Sequence, residues 1–134
     1  MLASEVRIRV RYGEVDRMGY LYHGNYPLYL EIGRTELIRQ LGLTYRDMED
    51  KGILLPVREL QIHYKMPILY DDEVIVRTSL IKPPTAKLFF DYLMLNDQGE
   101  VHCEARTTLV FVDAATRKPI RVPKFFEELI SPYY

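Results

Sequence analysis

Tryptophan is absent from this chain, cysteine occurs once, and neither sign of charge dominates. The lone thiol, Cys103, has no internal partner, so no disulfide framework holds the fold and the chain suits a reducing compartment. Eighteen Lys and Arg stand against 19 Asp and Glu, a formal net charge of −1. That balance offers no electrostatic footprint for nucleic acid or for an anionic membrane surface. No stretch approaches the roughly 20 apolar residues that a membrane-spanning helix needs. The run from Met1 to Arg7 reaches charge at once and lacks the apolar centre of a signal peptide. A cytoplasmic protein is expected. Familiar catalytic signatures are missing too: no G-x-S-x-G elbow, no Walker A loop, no G-x-G-x-x-G after a strand and no H-E-x-x-H. The histidines, His23, His63 and His102, are too scattered for ligand-type spacing, so no metal is implied, and no cofactor either.

What is present fits one domain spanning residues 1–134, with 48 % apolar and 28 % charged residues. Tyrosine is abundant, 11 in all, and gathers in two places, Tyr20 to Tyr29 and Tyr64 to Tyr70. A large apolar body with a polar tip suits a pocket wall or an interface, and equally the core and rim of a small β protein.

Hydrophobic periodicity orders the elements. Val6, Ile8 and Val10 alternate with Arg7, Arg9 and Arg11, which predicts a half-buried strand over Glu5 to Tyr12. A polar loop from Gly13 to Gly24 leads into the only long helix, about Tyr26 to Leu41. Asn25 stands at its cap position, Pro27 in its first turn, and Gly42 where a left-handed stop belongs. Leu30, Gly33, Leu37 and Leu41 form its buried stripe, and Gly33 implies close approach to a sheet. Thr44 to Asp47 reads as a capping box opening a short turn that ends at Gly52. Strands are expected at Val57 to Tyr64, Glu73 to Ile81, Lys87 to Leu95 and Val101 to Val112, with Asn96 to Gly99 as a tight hairpin. On the first of these, Leu60, Ile62 and Tyr64 share one face and Glu59, Gln61 and His63 the other. Pro123 to Ile130 has the pattern of a short C-terminal helix. One strand, one long helix and four more strands predict an α+β fold with the helix on one face of a mostly antiparallel sheet. One helix cannot also protect the sheet's edges, so a homo-oligomer is expected.

Cys103, mid-strand, reads as a small buried thiol. His63 and His102 read as solvent-facing or satisfied structural residues. That leaves the loop. Asp16-Arg17-Met18-Gly19, then Tyr22-His23-Gly24-Asn25-Tyr26 and a helix carrying Glu31 and Arg34, resembles the active-site segment of the 4-hydroxybenzoyl-CoA thioesterase-like family. The run Tyr64 to Val74 resembles the same family's passage between two strands, and the likeness spans roughly Arg7 to Pro123. The resemblance implies a hotdog fold, a five-stranded sheet wrapped around the long helix. It also implies dimers or tetramers with active sites at the subunit interface. By the same resemblance Asp16 matches the catalytic carboxylate, and His23 matches the position whose backbone N–H polarises the thioester carbonyl. Tyr22, Asn25, Tyr26, Glu31 and Lys65 fall where substrate contacts are expected.

Elementary chemistry agrees with this assignment. A thioester carbonyl needs a donor where negative charge develops and a carboxylate to attack or to activate water. Free N–H groups at a helix start, reinforced by the helix dipole, can supply the donor. Asn25 can cap the helix, orient the loop, or do both; Glu31 can pair with Arg34 on the helix surface or face the substrate. The phosphates of coenzyme A need cations, and the resemblance makes Lys65, Lys82 and Lys87 candidates, near strand ends where the family places its nucleotide-binding surface. The expected reaction is hydrolysis of acyl-CoA, with acyl carrier protein as the other possible carrier. Two alternatives are a hotdog hydratase or dehydratase, which needs the His23 imidazole for proton transfer, and a non-catalytic acyl-thioester-binding module.

Overall fold

The computed structural model describes residues 1–134. In chain order its elements are β1 (Leu2–Arg9), α1 (Tyr26–Gln40), α2 (Tyr45–Asp50), β2 (Ile53–Leu54), β3 (Val57–Tyr64), β4 (Glu73–Leu80), β5 (Lys87–Leu95), β6 (Val101–Val110), β7 (Val112–Asp113) and α3 (Lys124–Ile130). Five strands form one sheet in the order β1-β4-β5-β6-β3, every pair antiparallel. β2 and β7 make a separate small ladder. This is the α+β hotdog architecture, a sheet curled about one long helix.

α1 rests mainly on β1 and β4. Leu30, Leu37 and Ile38 bury against Val74, Val76, Leu80 and Phe90, and each such side chain removed from water stabilises the fold by about 1.5–3 kcal/mol. Leu41 is only half-buried and lies outside the helix. Gly33 does what its place in the stripe predicts. A Cβ there would sit 2.4 Å from Thr78 Oγ1 and 2.8 Å from Val76 Cγ1, so the helix backbone lies directly on β4. Gly42, at φ +83°, supplies the left-handed stop. α2 opens with the expected capping box: Thr44 Oγ1 accepts from Asp47 N at 3.0 Å and Asp47 Oδ2 from Thr44 N at 2.9 Å.

Several expectations shift. The first strand begins at Leu2 and ends at Arg9, because Val10 leaves β1's ladder to bond Asp72 and Asp71 and the chain then coils in a 3-10 turn, Tyr12–Glu14. The last long strand stops at Val110; beyond Phe111 the chain crosses to β2. Asn25 does not cap α1. Its own backbone is already helical, and its side-chain amide donates to Glu14 O at 2.8 Å instead. His102 is neither solvent-facing nor satisfied: it is buried and its Nδ1 has no partner. β3 is exposed along most of its length, because it is an edge strand that α1, seated on β1 and β4, meets only in part.

No helix is long and apolar enough to cross a membrane.

Candidate active site

The loop between β1 and α1 is held from both ends. Glu14 accepts from Arg11 N and Tyr29 Oη, both at 2.8 Å, and pairs with the Arg11 guanidinium at 2.9 Å. Chiefly through that guanidinium, its carboxyl is lowered to about 2. Leu21 N donates to Ile68 O at 2.7 Å and Tyr70 N to Gly19 O at 3.1 Å, which lays the loop against the β3–β4 connection.

Within it, Asp16 closes a turn on its own side chain. Oδ1 accepts from Met18 N at 2.9 Å and from Tyr20 N at 3.2 Å, while Oδ2 accepts nothing from the protein. One oxygen is thus structural and fixes the direction of the other. Seven residues on, a 3-10 turn at His23–Asn25 runs straight into α1, closed by Asn25 N to Tyr22 O at 2.8 Å. The N–H groups of His23 and Gly24 lie ahead of the first intrahelical bond, at the positive end of the helix dipole. Tyr64 Oη donates to His23 O at 3.4 Å and steadies this turn from β3.

A cavity of about 310 Å³ brings these parts together. Asp16, His23, Tyr26 and Lys65 line it, along with Met18, Tyr20, Leu21, Tyr64, Met66 and Pro67. Tyr26 packs edge-to-face on Tyr64 with ring centroids 4.7 Å apart, and burial pushes its phenol up to about 12, so it is a hydrogen-bond donor at neutral pH. Lys65 pairs with Glu104 at 3.8 Å. The sequence did not single out Met18, Leu21, Met66 or Pro67 as wall residues; the clustering of tyrosines was the signal for Tyr20 and Tyr64.

The remaining expected residues lie elsewhere. Tyr22 does not line the cavity; its ring packs against the His23 imidazole, centroids 4.4 Å apart. Asn25 ties the turn to Glu14. Glu31 sits in a second cleft of about 240 Å³ between α1 and β3, beside Pro27, Leu28, Leu30, Arg34, Val57, Leu60 and Thr107. There it reaches Arg34 at 3.9 Å, and the buried Arg34 in turn donates to Tyr45 Oη at 3.1 Å. Lys82 and Lys87 flank the far end of β4, which lies roughly 23 Å along the strand from Glu73. Neither touches the cavity. Cys103 is buried as expected, its thiol pushed up to about 12 by desolvation, so it stays an inert thiol.

A broader hollow of about 370 Å³ lies on the opposite face of the sheet, where Asp91 stands opposite Arg106 while Arg77 and Glu104 flank Leu93. Its charges are paired, one within the hollow and two with residues outside it: Arg106 grips Asp91 at 2.7 and 3.0 Å, Arg77 holds Glu5 at 2.7 Å, and Glu104 meets Lys65 at 3.8 Å. It has no helix start beside it, unlike the His23 cavity.

Comparison with known proteins identifies the family. The profile of the thioesterase-like superfamily matches residues 10–130. The chain belongs to that superfamily. It is 39 % identical over 133 residues to a Bacillus subtilis protein named "Putative acyl-CoA thioesterase YneP", covering 99 % of this chain and 96 % of the relative. It is 27 % identical over 117 residues to the acyl-CoA thioester hydrolase YbgC of Escherichia coli, covering 87 % of each. Among solved structures, DHNA-CoA thioesterase from Staphylococcus aureus superposes with a TM-score of 0.89 at 37 % identity, over 99 % of this chain and 89 % of that one. This member of the superfamily is a thioester hydrolase.

Proposed function

We propose that the protein hydrolyses acyl-CoA thioesters in the cavity shared by Asp16 and the start of α1. The observation that carries this reading is that Asp16, one of whose carboxylate oxygens is free of protein bonds, and His23 at the turn leading into α1 line one cavity. A carbonyl seated against the His23 and Gly24 N–H groups has its developing negative charge stabilised there. Asp16 then either attacks the carbonyl carbon through Oδ2, giving an anhydride that water opens, or takes the proton from an attacking water. In both routes a C–O bond forms and the C–S bond breaks; the leaving thiolate takes its proton from the Asp16 carboxyl in the base route and from water in the anhydride route. The aromatic and aliphatic walls suit an acyl group; Tyr26 is a wall donor and Lys65 lies at the rim.

The working unit in this reading is a homodimer of single-domain chains that pair through β3, with pairing into tetramers as its extension. Val57, Leu60 and Tyr64 are exposed on an unpaired strand edge. Two copies joined about a two-fold axis pair β3 antiparallel, so the Val57 end of one meets the Tyr64 end of the other. The cleft holding Glu31 and Arg34 then adjoins the partner's His23 cavity, which restores Glu31 to the substrate side. Acyl carrier protein is the alternative carrier, and the cytoplasm, where both carriers occur, is the expected compartment.

Release of free thiol from a panel of acyl-CoAs tests the proposal. Turnover on at least one acyl class is expected; none on any would remove it.

A further inference from the structure

A buried tyrosine ordinarily spends its hydroxyl on a partner inside the protein. Tyr26, Tyr29 and Tyr92 are buried here, and two of them obey. Tyr29 Oη donates to Glu14 at 2.8 Å, and Tyr92 Oη shares a 2.7 Å bond with Thr107 Oγ1. Tyr26, only 3 % exposed, is the exception: its hydroxyl bonds nothing in the protein. Nor is that hydroxyl sealed. The buried side-chain polar atoms closed off without a partner are Thr78 Oγ1 and His102 Nδ1, so Tyr26 Oη keeps an opening. The cavity it lines is the one that holds Asp16 and His23. Around it Tyr64 Oη is given to His23 O, Lys65 to Glu104, and Asp16 Oδ1 to its own turn. Asp16 Oδ2 is left as a free acceptor and Tyr26 Oη as a buried free donor.

Tyr26 enters the cavity from the turn that carries the backbone donors. Its N–H closes that turn on His23 O, and its ring packs on Tyr64, whose hydroxyl reaches the same oxygen. We infer that the Tyr26 hydroxyl is a side-chain donor of the oxyanion hole, bonding the thioester's carbonyl oxygen beside the His23 and Gly24 N–H groups. The inference rests on the thioesterase reading above. As Asp16 or its water adds to the carbonyl carbon, the C=O electron pair moves onto that oxygen. A donor held in a dry wall gains strength at that moment, which is where it speeds the reaction. The hydroxyl keeps its proton throughout. Burial pushes it up to about 12, so it donates a hydrogen bond and transfers nothing, and the thiolate is protonated by the routes given above.

Tyr26→Phe removes the oxygen and leaves the ring on Tyr64. Across the acyl-CoAs that the wild type hydrolyses, kcat should fall about a hundredfold with KM held within roughly threefold. The fall should be the same for benzoyl-CoA and its hydroxylated counterparts. A loss confined to hydroxylated acyl groups makes Tyr26 a selector of the acyl group and overturns the assignment, as does an unchanged kcat. The melting temperature should not drop, because no protein bond is lost; a drop would give the hydroxyl a structural partner and overturn it too. A ketone analogue of benzoyl-CoA, with methylene in place of the sulfur, separates this inference from the activity. Isotope-edited infrared spectra should show its carbonyl stretch lowered on binding to the wild type and largely restored in Tyr26→Phe, even if no thioester is turned over. An equal stretch in both proteins sinks the role of Tyr26 while leaving hydrolysis untouched.

Discussion

Asp16 divides its labour between two oxygens, and that division makes a clean substitution available. In Asp16→Asn the amide oxygen can still accept from Met18 and Tyr20, so the turn survives while the free carboxylate oxygen is lost. Turnover should drop by two or more orders of magnitude, about 3 kcal/mol in barrier, with circular dichroism and melting unchanged. Comparable turnover would make Asp16 a turn residue only. His23 is tested through its backbone. His23→Ala keeps the N–H and should retain activity within roughly tenfold, whereas an imidazole that moves protons would cost two to four orders of magnitude. Glu14 matters for a different reason: it joins Arg11 to Tyr29 and so the loop to α1. Its carboxyl, lowered to about 2 from 4.5, contributes stability that is present above about pH 4.5 and is lost as the pH falls toward 2. Solvent around Arg11 reduces the contribution to about 1–2 kcal/mol. Glu14→Gln should flatten acid denaturation across that window, measured by urea midpoints at pH 6 and pH 3.

Among the elements, α1 depends most on one position. Gly33→Ala drives a methyl into Thr78 and Val76 of β4, and lifting the helix to make room should cost about 2–4 kcal/mol, read as a fall in melting temperature. Gly33→Ala combined with Thr78→Ala, which removes the nearest clashing atom, should recover part of that loss. This contact was legible from sequence, because a glycine inside a leucine stripe costs helix stability that close packing of the backbone on a neighbour can offset. So were the capping box of α2, the Asn96–Gly99 hairpin and the bounds of β5, all set by residues close in sequence. The failures share a cause. Asn25 was misread because its partner, Glu14 O, is 11 residues away, and His102 because its burial depends on the β4 start and the β5–β6 hairpin meeting over it. The site divides likewise. Asp16, His23, Tyr26 and Lys65 came together as the motif implied. Glu31 did not, because it faces β3 across a cleft that no local pattern announces.

At the scale of the molecule, β3 predicts the assembly. Light scattering at micromolar concentration should report a dimer or a tetramer. Leu60→Lys on the exposed edge should give a folded monomer with turnover reduced at least tenfold, because the acyl chamber of each copy is then left half-walled. A monomer with full activity would end the shared-site reading. The opposite edge of the sheet is differently made. On β1, Gln40 Nε2 donates to Ala3 O at 3.3 Å, and Leu2 N donates to the Tyr134 hydroxyl, which itself bonds Leu80 O. Along the rest of that strand Glu5, Arg7 and Arg9 carry charge outward. A sheet with one open edge and one sealed edge can pair once and no further. Joined at β3, two copies become a ten-stranded ribbon with a sealed β1 at each end, so strand pairing cannot propagate into a fibre.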